Sequence, residues 1–71
     1  MMSISFKIKE ARIKKGLTQK EFASLLGCAT ISISRYECAT RTPSLKTLQQ
    51  MAKILGISLG ALLDDSEVPN G

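Results

Sequence analysis

The sequence predicts an all-α fold, a bundle of five short helices. Three observations predict it. Apolar residues recur at helical spacing along most of the chain. Capping side chains and glycines stand where each periodic stretch begins and ends. No strand-period alternation of useful length occurs; the brief ISIS at residues 31–34 reads as helix, given its neighbours. Seventy-one residues allow one small domain with a modest core. A hydrophobic content of 44% is too high for a disordered chain. Phe6, Phe22 and Tyr36 are the only aromatics, so the core is expected to be aliphatic.

In order, Ser3 or Ser5 caps a first helix that runs to about Lys15, with Gly16 as its stop. Ile4, Ile8 and Ala11 form its apolar stripe, and Lys14 and Lys15 suit the negative end of its dipole. Phe6 and Ile13 fall off that stripe, and the pattern leaves open whether anything covers them. Leu17 leads into the stretch that organises the chain, Thr18 to Glu37. Thr18 and Glu21 form a capping box, in which each side chain meets the other residue's backbone N–H. Phe22, Leu25 and Leu26 are expected on one face of the second helix, and Gly27 ends it. A third helix starts near Thr30. Two short helices joined by a tight turn with Gly fit a helix-turn-helix.

The third helix sorts its residues by face. At about 100° per residue from Thr30, Ile33 lies near 300° and Tyr36 near 240°, on an apolar side. Thr30, Ser34 near 40°, Ile31 near 100° and Arg35 near 140° share the other side. Hydroxyls, a forked cation and an aliphatic group are the chemistry that reads base edges. An ordinary solvated face with one exposed Ile fits the same pattern. A polar loop, CATRTP, follows. Ser44 caps a fourth helix, Leu45 to Leu55, with Leu48, Met51, Ala52 and Leu55 inward and Gly56 as stop. Ser58 caps a short fifth helix, Leu59 to about Leu63. Residues 64–71 read as a flexible acidic tail, outside a domain spanning 4–63.

Charge is uneven. Residues 1–53 hold all ten Lys and Arg against Glu10, Glu21 and Glu37, a net +7; the remainder holds Asp64, Asp65 and Glu67, a net −3. A basic body suggests a polyanionic partner, although a solvated lysine face looks the same. Cys28 and Cys38 flank the third helix, roughly 15 Å apart along it, whereas a disulfide needs Cα atoms within about 7 Å. With no His and two thiols, a zinc site lacks ligands. Cys28 is expected as a small buried group in the turn, and Cys38 toward the outer face. No Ser or Cys has an evident base partner, the acids show no paired spacing, and no glycine loop cradles phosphate. These absences argue against an enzyme and against a cofactor or small-molecule ligand. No signal peptide or membrane-spanning run occurs, which makes a cytoplasmic location the default.

LTQKEFASLLG at 17–27, ISRYE at 33–37 and RTPSLKTLQQMAKILGIS at 41–58 resemble the lambda-repressor-like, or Xre-type, helix-turn-helix family. Several separated segments agree in spacing, across about residues 4–63. The resemblance implies a five-helix domain that regulates transcription, most often as a repressor. It would bind a pseudo-palindromic double-stranded DNA operator as a homodimer, with the third helix in the major groove. It assigns base reading to Thr30, Ile31, Ser34 and Arg35. It assigns phosphate contact to Gln19, Lys20, Arg41 and Thr42, and an internal ion pair to Arg12 and Glu37. Ile57, Leu59, Leu62 and Leu63 are many apolar residues for a short terminal stretch, so part of that set is expected at a two-fold interface. Three positions depart from the family pattern. Ala29 replaces a capping Ser or Thr, Ala39 replaces a frequent Gly, and Ile31 replaces a usually polar base-facing residue. The alternative is a protein-interaction module, or an antitoxin or controller subunit, on the same fold.

Overall fold

Each helix contributes one fully buried side chain to a common centre: Ile8, Phe22, Ile33, Met51 and Leu62. The computed structural model describes residues 4–63, so the acidic tail expected at 64–71 lies outside the described residues. The helices are α1 (Ile4–Lys14), α2 (Gln19–Leu26), α3 (Thr30–Glu37), α4 (Leu45–Leu55) and α5 (Leu59–Leu63). The described residues contain no strand, and none of their helices is long and apolar enough to cross a membrane. The α1 helix packs against α3, α4 and α5, whereas α3 rests chiefly on α2 and α1. The recognition-type helix therefore sits on two supports and keeps one side in solvent.

The helix boundaries follow from local chemistry. In α2, Thr18 Oγ1 accepts from Glu21 N–H at 3.0 Å, and Glu21 Oε1 accepts from Thr18 N–H at 2.8 Å. Both orphan donors at the helix start are thereby satisfied. Ser44 caps α4 by accepting from Thr47 N–H, and Ser58 Oγ accepts from Ala61 N–H at the start of α5. At the end of α2, Gly27 has φ +74°, and N–H groups of Gly27 and Cys28 return to the carbonyls of Ser24 and Ala23. This is the double-bonded left-handed stop that glycine favours. The start of α3 is different: Ala29 is its N-cap and supplies no side-chain hydrogen bond.

The core departs from the sequence expectation in four places. It is not wholly aliphatic, because Phe22 is central and Tyr36 is buried. Leu25 is 59% exposed, not inward. The buried arc of α2 is Phe22 and Ala23, flanked by half-buried Leu26; Leu25 falls on the far side of Phe22, about 60° off. In α1 the buried stripe is Ser5, Ile8 and Arg12, with Ile4 and Ala11 only half-buried. Two polar members hide that stripe from an apolar-periodicity reading. Cys28 is exposed, because the residue after the glycine stop stands out at the corner between α2 and α3. Cys38 is exposed as well, and both thiols are free. In α4 the four expected residues, Leu48, Met51, Ala52 and Leu55, are all buried.

Candidate nucleic-acid interface

The outer side of α3 is built by what its inner side must do. Ile33 and Tyr36 are pulled into the core. The 3.6-residue period then turns Thr30, Ile31 and Arg35 to solvent, with Ser34 half-buried at the edge. Ile31 is 57% exposed, an apolar side chain held in water beside hydroxyls and a guanidinium.

Behind this face lies an ionic clamp. Arg12 Nε donates to Glu37 Oε2 at 2.6 Å, and Nη2 donates to Oε1 at 3.1 Å. The pair is two-pronged, the geometry that gives a guanidinium its strongest hold on a carboxylate. Arg12 Nη1 also donates to the Leu17 carbonyl at 2.7 Å. Gln19 Nε2 donates to Glu37 Oε1 at 3.1 Å. The two charged side chains are only 10% and 3% exposed. Burying them is tolerable because their hydrogen-bonding capacity is largely used. One carboxylate at the end of α3 thus ties together α1, the α1–α2 corner and the first residue of α2. The Leu17 carbonyl and the Gln19 amide nitrogen are members that sequence reasoning did not include. A backbone acceptor leaves no mark in a sequence, and Gln19 stood out only as a phosphate-contacting residue.

The loop after α3 is tied to the helix at one atom. The Arg35 carbonyl accepts from Thr40 N–H at 3.0 Å, Arg41 N–H at 3.3 Å and the Thr40 hydroxyl at 3.2 Å. Ala39 allows this by adopting φ +62°, the only non-glycine residue with positive φ among the described residues. The Arg41 guanidinium then lies 5.6 Å from the centre of the Tyr36 ring, within the range of a cation–π contact. Tyr36 as a platform for Arg41 is another feature the sequence did not reveal. Arg41 and Thr42 are exposed, as is Lys20, while Gln19 is half-buried against Glu37.

The proposed interface residues of the C-terminal part behave differently from one another. Leu62 is 1% exposed and closes the core; Ile57 and Leu59 are half-buried against it. Leu63 is 47% exposed. Of the four, Leu63 offers the largest open apolar surface. Among the described residues there is no cluster of three or more His, Cys, Asp or Glu that could hold a metal ion.

Comparison with known proteins places this arrangement among others. A family model described as helix-turn-helix matches residues 8–62. The chain is 35% identical over 63 residues to the cryptic phage CTXphi transcriptional repressor RstR of Vibrio cholerae, covering 89% of this chain and 57% of that protein. It is 39% identical over 67 residues to the HTH-type transcriptional regulator ImmR of Bacillus subtilis strain 168, covering 94% and 53% respectively. The chain therefore spans about half the length of the curated relatives it matches. Among solved structures, it resembles the biofilm regulator SinR of Bacillus subtilis, in a complex with DNA, at a TM-score of 0.80 and 34% identity. That alignment covers 86% of this chain and 98% of the SinR chain.

Proposed function

The chain belongs to the helix-turn-helix family of lambda-repressor-like regulators, and from that membership we propose that it binds double-stranded DNA sequence-specifically and represses transcription. The observation that carries this reading is the outer side of α3. Thr30, Ile31 and Arg35 are exposed together on a helix locked from behind by the Arg12–Glu37 pair. A helix in the major groove must present three or four side chains to base edges without its own axis shifting. The clamp supplies that fixity, and the outer residues supply the reading groups. Arg35 suits guanine O6 and N7; Ile31 suits a thymine methyl. Lys20, Arg41 and Thr42 are exposed where the flanking sugar-phosphate backbone would pass, and Gln19 adds an amide at the start of α2. SinR, crystallised in complex with DNA, supports the same assignment by likeness.

The reading includes a homodimer. Two copies joined near α5, through Leu63 and the edges of Ile57 and Leu59, would set two α3 helices about 34 Å apart, one DNA turn. No catalytic group is part of this proposal. Selection of bound sites from a random duplex pool tests it. The expected outcome is an enriched pseudo-palindrome whose half-sites share guanine and thymine positions. Recovery of no common sequence, with equal affinity for every duplex, would refute sequence-specific binding.

A further inference from the structure

The outer face of α1 has no role in the DNA-binding reading. Ile8 and Arg12 point inward, toward α3, α4 and α5. With Ile8 at zero, Phe6 lies near 160° and Ile13 near 140° on the helical wheel, the far side of α1. Phe6 is 48% exposed and Ile13 56% exposed. Between them a shallow groove of about 360 Å³ is lined by Phe6, Lys9, Glu10, Ile13 and Lys14. Two large apolar groups, one turn of charge between them, and positions 6, 9, 10 and 13 follow the i, i+3, i+4, i+7 pattern of a helix-docking stripe.

The order of charges on this stripe says what fits it. In an antiparallel pair of identical helices, with a two-fold axis midway between Lys9 and Glu10, Phe6 faces the second copy's Ile13. Lys9 faces the second copy's Glu10, and the same contacts repeat on the other side of the axis. Every apolar group meets an apolar group and every charge meets its opposite. A two-fold interface requires this self-complementarity, and a stripe of two like charges would forbid it. We propose that the outer face of α1 is a self-association surface on which a second copy of this chain docks its own α1 antiparallel. The stripe is about 11 Å long, which puts the contact in the weak, transient class. It is separate from the α5 surface, and it stands or falls without reference to DNA.

The test uses charge reversal and mixing. Sedimentation equilibrium is measured without DNA on the parent chain, on Lys9→Glu, on Glu10→Lys, and on an equal mixture of the two variants. Either variant alone sets like charges across the axis and should weaken self-association about tenfold or more. In the mixture each variant meets the opposite charge at both contacts, so association should return to near the parent level. A second measurement needs no substitution: with rising concentration of the parent chain, backbone amide signals of residues 6–13 should shift while those of α3 stay fixed. A mixture that associates no better than its separate components would overturn the proposal. So would variants that associate as the parent does, or concentration-dependent shifts that avoid α1.

Discussion

Ala39 holds a backbone conformation that Gly16, Gly27 and Gly56 hold at the ends of α1, α2 and α4. A Cβ in the left-handed region costs roughly 1 kcal/mol or more. The three hydrogen bonds on the Arg35 carbonyl and the Arg41–Tyr36 contact hold the residue there. Ala39→Gly should therefore raise stability by up to about 1 kcal/mol, partly offset by the greater freedom of glycine in the unfolded chain. In a domain of this size that is several degrees in melting temperature, and a scanning melt would detect it; a clear fall would mean that the loop is not strained. Arg12 and Glu37 make the opposite kind of argument, because their pair is enclosed. Arg12→Met leaves Glu37 buried with only the Gln19 amide, and should cost about 3 kcal/mol or more. Arg12→Met with Glu37→Leu should cost less than the sum of the two single changes. A double-mutant cycle in denaturant with coupling near zero would mean that the two side chains contribute independently.

The helices differ in how far they could be read from the sequence, and the reasons are physical. The capping box and glycine stop of α2, and the serine caps of α4 and α5, use side chains for which no local alternative competes, so their boundaries were legible. The α4 stripe was legible because it is purely apolar. The α1 stripe was hidden, because Ser5 and Arg12 are buried in it while Phe6 and Ile13 stay outside. Which of Leu25 and Ala23 turns inward was set by where α3 and α4 press on α2, a tertiary matter the pattern of one helix does not contain. The outer residues of α3 were legible from its two inward residues alone. The Leu17 and Gln19 links to the clamp were not, since they depend on the fold bringing distant chain segments to Glu37. One weakness of α3 follows from its start: Ala29 gives its first N–H groups no side-chain acceptor. Ala29→Ser should add about 0.5–1 kcal/mol of stability, measured by chemical denaturation. No gain would indicate that water already satisfies those groups as well as a hydroxyl does.

For the molecule as a whole, core closure and assembly lie one residue apart. Leu62→Ala removes a fully buried side chain and should cost about 2–5 kcal/mol. Leu63→Glu alters an exposed one and should leave the melting temperature nearly unchanged. On the dimer reading it should nonetheless weaken binding to a full palindromic site far more than to a half-site. Equal losses on both sites would place the two-fold contact elsewhere. The central claim is that α3 reads bases while the loop after it grips phosphate. Phosphate contacts fix position and base contacts specify sequence, and the two kinds of arginine respond differently to salt. The most direct measurement is the affinity of Arg35→Ala and Arg41→Ala for a selected site and for scrambled duplex, each at several salt concentrations. Arg35→Ala should cost about 1–3 kcal/mol on the selected site alone and relax preference at one base pair. Arg41→Ala should weaken both duplexes and reduce the salt slope by about one unit. The same uniform loss from both substitutions on both duplexes would contradict the account.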